Sequence, residues 1–397
     1  MRKFEAGALA YVVGISLVFS MIISAILLIN NYVEQQFIIN RNKITLRENV
    51  NSAYELIKAR PDLLTHHSME MDLYGQGTDS VSIKIKPWGF LYQAEVSAKR
   101  GHFSTTRSSF IAPETLSTSL LYLPESQFPL TLTGTSQLVG RAEVPQGIIN
   151  TGTIGATSFS GQMPSPSDIL RSNSSLPEIA SDLISHLRNL SIGNGKSSIQ
   201  GDKINSFKNG TIKYSENSKI IIDEQLKGNI LVKSEKSIEV NLGAQLEDII
   251  LMAPKIIIHD FVSGSFQAIA SDTLLVGSGV KMQYPSFLCV FGENKNYIAV
   301  NSASIEGAVF SFNYSNPDDN LLRLGDGSVI HGAVYSNGYL ELGGNIYGYV
   351  MANKLSFNQF GIIRENTMYN TSIKPLRLKP PSLLASRDRI NIIKWLE

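Results

Sequence analysis

The sequence predicts a mainly β protein: a parallel β-solenoid of about 18-residue triangular coils, with an N-terminal transmembrane helix, a stem and a small antiparallel β unit. Three observations predict it. From Ile220 to Ser286 every sixth residue is apolar except the last: Ile220, Leu226, Val232, Ile238, Ala244, Ile250, Ile256, Val262, Ala268, Leu274, Val280, Ser286. The series two residues later, from Ile222 through Val240, Leu246, Met252 and Ile258 to Leu288, departs from apolar only at Gly or Ser. Apolar residues are 43% of the chain, so a run this regular is not compositional. Positions i and i+2 share a face only on a strand, and six-residue units taken in threes make a flat three-sided coil. The third observation is the uncharged apolar run from Ala6 to Ile29.

Taken in chain order, residues 1–30 form the anchor. About 20 apolar residues span a bilayer core, and a cleaved secretory signal has a shorter apolar region with a small-residue exit. Arg2 and Lys3 lie close before the span, whereas Arg41, Lys43 and Arg47 follow at a distance. The N-terminus is therefore expected on the cytoplasmic side and the bulk of the chain outside the cytoplasm, as in a single-pass protein of a bacterial inner membrane. Ser16, Ser20 and Ser24 recur at i, i+4, i+8, a spacing at which small residues let another helix approach closely in lipid. Residues 31–67 read as a helical stem with Val33, Phe37, Ile44, Val50, Tyr54 and Ile57 on a broken apolar stripe. Residues 68–125 read as the antiparallel unit: Val81, Ile83 and Ile85 alternate with polar residues, Pro87-Trp88-Gly89 turns, and Phe90 to Val96 returns.

The solenoid is expected over 126–360. Leu130-Thr131-Leu132-Thr133 and Thr153-Ile154-Gly155-Ala156 read as its first coils. A helical insertion over 162–195 carries an amphipathic helix at 177–190, announced by Ser175-Leu176-Pro177-Glu178, which lies on the solenoid or caps its open end. Later, Ile305-Glu306-Gly307-Ala308-Val309-Phe310-Ser311 is echoed by Ile330-His331-Gly332-Ala333-Val334-Tyr335-Ser336 and by Ile346-Tyr347-Gly348-Tyr349-Val350-Met351-Ala352. Residues 313–320, Asn-Tyr-Ser-Asn-Pro-Asp-Asp-Asn, read as a loop pushed out of one coil. Residues 361–397 read as a C-terminal cap or tail over the last coil.

The start of the chain resembles the minor pilins and minor pseudopilins. Arg2-Lys3-Phe4-Glu5-Ala6-Gly7 followed by Ala8-Leu9-Ala10-Tyr11-Val12-Val13 is similar to their short basic leader ending in Gly before a long apolar helix. The resemblance covers about 50 residues and implies peptidase cleavage between Gly7 and Ala8. Major pilins carry Glu at the fifth mature position, where this chain has Val12. The 18-residue coils separately resemble bactofilins, bacterial polymer-forming β-helix proteins, in periodicity and composition.

Function is less legible. With 35 basic and 34 acidic residues the net charge is +1, and no basic field for nucleic acid is evident. The lone cysteine, Cys289, sits in an apolar run and reads as a small buried hydrophobe. No metal-ligand spacing occurs and no cofactor is implied. Asp318, Asp319, Arg323 and Asp326 are the charged residues from which a solenoid enzyme acting on polysaccharide would be built. The preferred reading is a polar inserted loop, a natural place to dock a partner or ligand. The reading is a non-enzymatic, membrane-anchored structural subunit, minor-pilin-like or scaffold, working with the membrane and other envelope protein subunits. The alternative is a membrane-tethered polysaccharide-binding or polysaccharide-cleaving β-helix.

Overall fold

The computed structural model describes residues 5–65, 68–75, 77–114, 119–190, 201–359, 361–376 and 381–396. The chain divides into two compact units: residues 1–56, 68–84 and 95–107 form the first, and 57–67, 85–94 and 108–397 the second.

The first unit is built on helix α1, Glu5–Ala59, about 80 Å long at 1.5 Å per residue. Its first half is apolar and long enough to cross a bilayer, and none of that stretch is buried. Burial begins at Leu46 and continues through Asn49, Val50, Ala53 and Tyr54, at helical spacing. The stem stripe is therefore divided: Val33, Phe37 and Ile44 are exposed and Val50 and Tyr54 are buried. Polar contacts pin the buried half. Asn49 Nδ2 donates to Asp79 Oδ2 at 2.9 Å, Tyr54 Oη donates to the Arg107 carbonyl at 3.0 Å, and Arg100 pairs with Asp79 at 2.8 Å. Strand Ser68–Met71 runs antiparallel to 81–84.

The second unit is the solenoid. Parallel pairing links one line of residues through eleven rungs: Tyr214, Val232, Leu251, Ala268, Leu288, Val309, Val334, Val350, Leu121, Ala142 and Ile169. A second side stacks Ile220, Ile238, Ile256, Leu274, Ile298, Leu322, Leu340 and Leu355. These side chains fill a thin apolar core, as the six-residue repeat predicts. From Ile238 to Ile256 to Leu274 each coil takes 18 residues, whereas Leu274 to Ile298 and Ile298 to Leu322 take 24 each.

The repeat fails locally at Ile250 and Met252. Asp248 adopts a positive φ of 59° and the register shifts beside it. Ile249 and Leu251 therefore enter the core, and Ile250 and Met252 point outward. Outward burial is possible because this wall is covered. Ile250, Ile269, Phe287, Cys289, Phe310 and Tyr335 pack beneath Trp88, Phe90, Phe110, Leu183, Leu187 and Leu384. A sheet wall buried on both faces reads as continuous apolar runs, which is why 287–291 lacks alternation.

Stack order differs from chain order. The coils at 121–171 are at one end of the stack, but they adjoin the chain's last coils and not the one that follows them in sequence. Leu121 pairs with Val350, Leu138 with Ile373, and Thr131 with Thr367. The opposite end is formed by Lys203–Asn205, Ile212–Glu216 and Ile220–Ile222. After residue 171 the chain carries helix α2, Ser181–Leu190, whose Leu183 and Leu187 pack on the covered wall. α2 starts four residues later than the capping signal suggests, because the backbone at 179–180 is used elsewhere: Ile179 bridges Leu384, and Ala180 N–H donates to the Leu383 carbonyl at 3.1 Å. Residues 191–195 of the expected insertion lie outside the described residues.

The C-terminal residues are a strand and not a tail. Arg389–Leu396 pairs antiparallel with 108–114 of strand Phe103–Glu114, closing a sheet whose other strands come before the solenoid. The solenoid is thus inserted between two neighbouring strands of the antiparallel sheet. Glu114 holds the joint: it accepts from Asn391 Nδ2 at 2.7 Å and pairs with Arg389.

Candidate functional site

Two regions carry the residues singled out from sequence. On α1, Gly7 is exposed with open space around it, and Ala8 follows within the helix. Ser16, Ser20 and Ser24 lie on one exposed face with Val12, Ile15, Phe19 and Ile23. Ser16 Oγ donates to the Val13 carbonyl at 2.9 Å. In hydrocarbon such a hydroxyl satisfies itself on its own helix and leaves a low-relief face of small side chains between bulky ones.

The charged residues of the solenoid fall into two separate places. Asp318 and Asp319 sit in the short 3-10 turn Pro317–Asp319. Asn316 caps it, accepting from Asp318 N–H at 3.2 Å and donating to Asp319 Oδ2 at 2.7 Å. Asp318 also lies 3.5 Å from Lys354 Nζ. Arg323 and Asp326 instead line a polar depression at a solenoid corner with Asn301, Glu341, Ser356 and Asn358. Arg323 Nε is 3.4 Å from Glu341 Oε2, a partner that its rung neighbour supplies.

The ends of the inserted loop are pillars rather than loop. Asn313 and Asn320 are buried. Asn337 Oδ1 accepts from Asn313 N–H at 2.9 Å and from Asn320 Nδ2 at 2.7 Å, and Asn337 Nδ2 donates to the Asn313 carbonyl at 2.6 Å. Asn320 Nδ2 also donates to the Ser311 carbonyl at 3.1 Å. Amide side chains supply donor and acceptor together, so they satisfy backbone groups where three coils turn a buried corner. Sequence reading missed this because Asn is also a common turn residue, and Asn313 and Asn337 stand at different offsets from the matched Ser311 and Ser336, two residues on and one residue on, so no repeat marks them.

A second missed cluster ties α2 to the C-terminal segment. Arg387 clasps Asp182 through two nitrogens, at 2.9 and 2.5 Å, and Tyr92 Oη donates to Asp182 at 2.8 Å. Burial pushes the Asp182 carboxyl up, but its bonds to Arg387 and Tyr92 outweigh that and hold it below the ordinary carboxylate range. His186, one turn on, is pushed down to about 4 by burial. Cys289 is fully buried on the covered wall, which raises its thiol well above the usual value and leaves it unreactive. Among the described residues no group of three or more His, Cys, Asp or Glu side chains is placed to hold a metal ion.

No protein-family model and no curated protein matches the chain. Among solved structures, the chain is similar to the competence-associated pilin ComZ from Thermus thermophilus at 9% identity, over 84% of this chain and 88% of that one, with a TM-score of 0.26, too loose a superposition to transfer fold or function.

Proposed function

We propose that this chain is a membrane-anchored, pilin-like subunit of a bacterial envelope assembly that presents its solenoid outside the cytoplasm. The carrying observation is α1: an exposed apolar segment of bilayer length runs without a break into a helix whose far half is packed in a folded unit. A helix apolar all round is stable in lipid or against other helices. In this reading Gly7 and Ala8 flank a prepilin-type cleavage, Ser16, Ser20 and Ser24 face a neighbouring subunit's helix, and the solenoid displays the 313–326 region to partners. No reaction is assigned to the chain.

Mass spectrometry of the membrane-extracted protein tests the cleavage: the mature chain should begin at Ala8, and Gly7→Val should retain Met1. An intact start in cells carrying the peptidase would remove the pilin-like reading and leave the anchor. Ser20→Cys should form a disulfide between neighbouring copies or subunits in membranes, and buried Cys289 would not interfere.

A further inference from the structure

Helix α1 carries tyrosine twice before its first buried residue, Leu46: at Tyr11 and at Tyr32. Both are open to the surroundings, 77% and 63% exposed. They stand 21 residues apart on an unbroken helix, about 32 Å at 1.5 Å per residue. A bilayer's hydrocarbon core is about 30 Å thick. No charged residue falls between the two; the next charge is Glu34. From Val12 to Ile29 the only polar side chains are Ser16, Ser20 and Ser24, and the first carboxamides, Asn30 and Asn31, adjoin Tyr32.

We propose that Tyr11 and Tyr32 bind the two headgroup layers of a bilayer, so that the hydrocarbon core covers 12–31 and the packed part of the first unit stands clear of the membrane. The proposal rests on the membrane-anchored reading and adds its depth. A tyrosine ring is apolar and its hydroxyl polar, so the side chain is best placed where hydrocarbon meets headgroups. Two such rings at the spacing of the core fix the helix at both faces. Sliding it by one turn would draw one hydroxyl into hydrocarbon and lift the other ring into water. The apolar run from Ala6 to Ile29 alone would centre the bilayer between Leu17 and Val18, whereas the tyrosines centre it between Met21 and Ile22, one turn further on. Two consequences follow. Gly7 lies about 6 Å beyond Tyr11, in the wet headgroup layer, where a peptide bond can be hydrolysed. Leu46 lies about 20 Å beyond Tyr32, so exposed Val33, Phe37, Ile38 and Ile44 belong to a stalk outside the hydrocarbon and not to the span.

The test uses the full, uncleaved chain in vesicles of phosphatidylcholine and phosphatidylglycerol. Cysteine replaces one residue at a time at Leu9, Val13, Val18, Ile22, Asn30 and Gln35 and is labelled with a nitroxide; buried Cys289 stays unlabelled while the body is folded. Depth is read by spin resonance, from the contrast between dissolved oxygen and a water-soluble nickel chelate. Ile22 should be the deepest position, Val13 and Asn30 should be shallow to the same degree, and Leu9 and Gln35 should be open to the chelate. A variant with Ala8→Tyr, Tyr11→Leu, Ile29→Tyr and Tyr32→Leu keeps the ring spacing and moves both rings about one turn toward the N-terminus. In it Val18 should become deeper than Ile22, and Asn30 should open to the chelate. A wild-type profile deepest at Val18, or one that protects Gln35, would overturn the proposal and leave the anchor standing. So would an unchanged profile in the moved-ring variant. No protected position anywhere would remove the anchor and the proposal together.

Discussion

Replacing Gly332 by alanine should open the middle of the solenoid. Gly307, Gly332 and Gly348 stack in register directly above one another, with φ of 146°, 154° and 144°. A Cβ at Gly332 would lie 1.7 Å from the Gly307 carbonyl oxygen and 2.7 Å from its carbon. That oxygen is backbone, held in the parallel ladder, so it cannot swing aside as a side chain would. Relief requires parting two rungs by more than an ångström or leaving the positive φ. Backbone strain of about 1–3 kcal/mol and overpacking of about 1–3 kcal/mol sum to about 2–6 kcal/mol, centred near 4 kcal/mol. Coils contact only their neighbours, so the loss should be local. Hydrogen exchange of peptides covering 305–351 should accelerate by two to three orders of magnitude, at about 1.4 kcal/mol per factor of ten. Two controls separate the causes. Gly155 has φ of 58° but open space around its Cβ, and its alanine variant should cost about 1 kcal/mol. Gly210 has open space and no positive φ, and its alanine variant should stay within about 0.5 kcal/mol. Exchange in Gly332→Ala within threefold of that in Gly210→Ala would refute the stacked-glycine argument.

Replacing 314–319 by two glycines should leave the coils folded, at a cost of about 1–2 kcal/mol from the lost Tyr314 contacts with Phe291 and Arg188. Removing 313–320 should lower the urea midpoint much further, because buried Asn313 and Asn320 leave with it. Arg387→Ala should cost about 1–2 kcal/mol at neutral pH. Because the Asp182 carboxyl is held low, its contribution is complete above the ordinary carboxylate pKa and lost as pH falls through the lowered one. Without Arg387, burial dominates, and thermal melts should show that acid loss at higher pH. His186, pushed down to about 4, is neutral in the fold. Stability should therefore fall as pH drops below the usual imidazole value of 6.5 toward 4, and His186→Gln should flatten that limb.

The inner architecture was legible because a six-residue period leaves a signal at every rung. Ile238, Ile256 and Leu274 could be placed above one another from spacing alone. What escaped was whatever depends on contacts distant in sequence. Ile250 satisfies the repeat yet faces outward, because Asp248 bulges and the outer wall is itself covered. Nothing near Leu121 announces that its neighbour is Val350, since parallel pairing has no local mark. Arg389–Leu396 alternates too little to read as a strand, because Phe110 and Ile111 across the sheet settle its pairing. On α1 the span was plain from composition, whereas the boundary between exposed Ile44 and buried Leu46 depends on the strands beneath. The charged residues 318–326 could be found by type, but not their separation into a capped turn and a corner depression.

The stack order also has a consequence for the birth of the protein. When the ribosome has delivered 121–171, the surface those coils rest on, at 345–374, has not yet been made. They must wait for about two hundred residues before docking, a long delay for segments with unpaired strand edges. Winding should therefore nucleate in the coils after 203, advance toward 359, and only then recruit the earliest coils as a lid. Translation arrested before residue 345 would leave a wound body trailing an unsheltered N-terminal length, which is the species a chaperone or protease should meet.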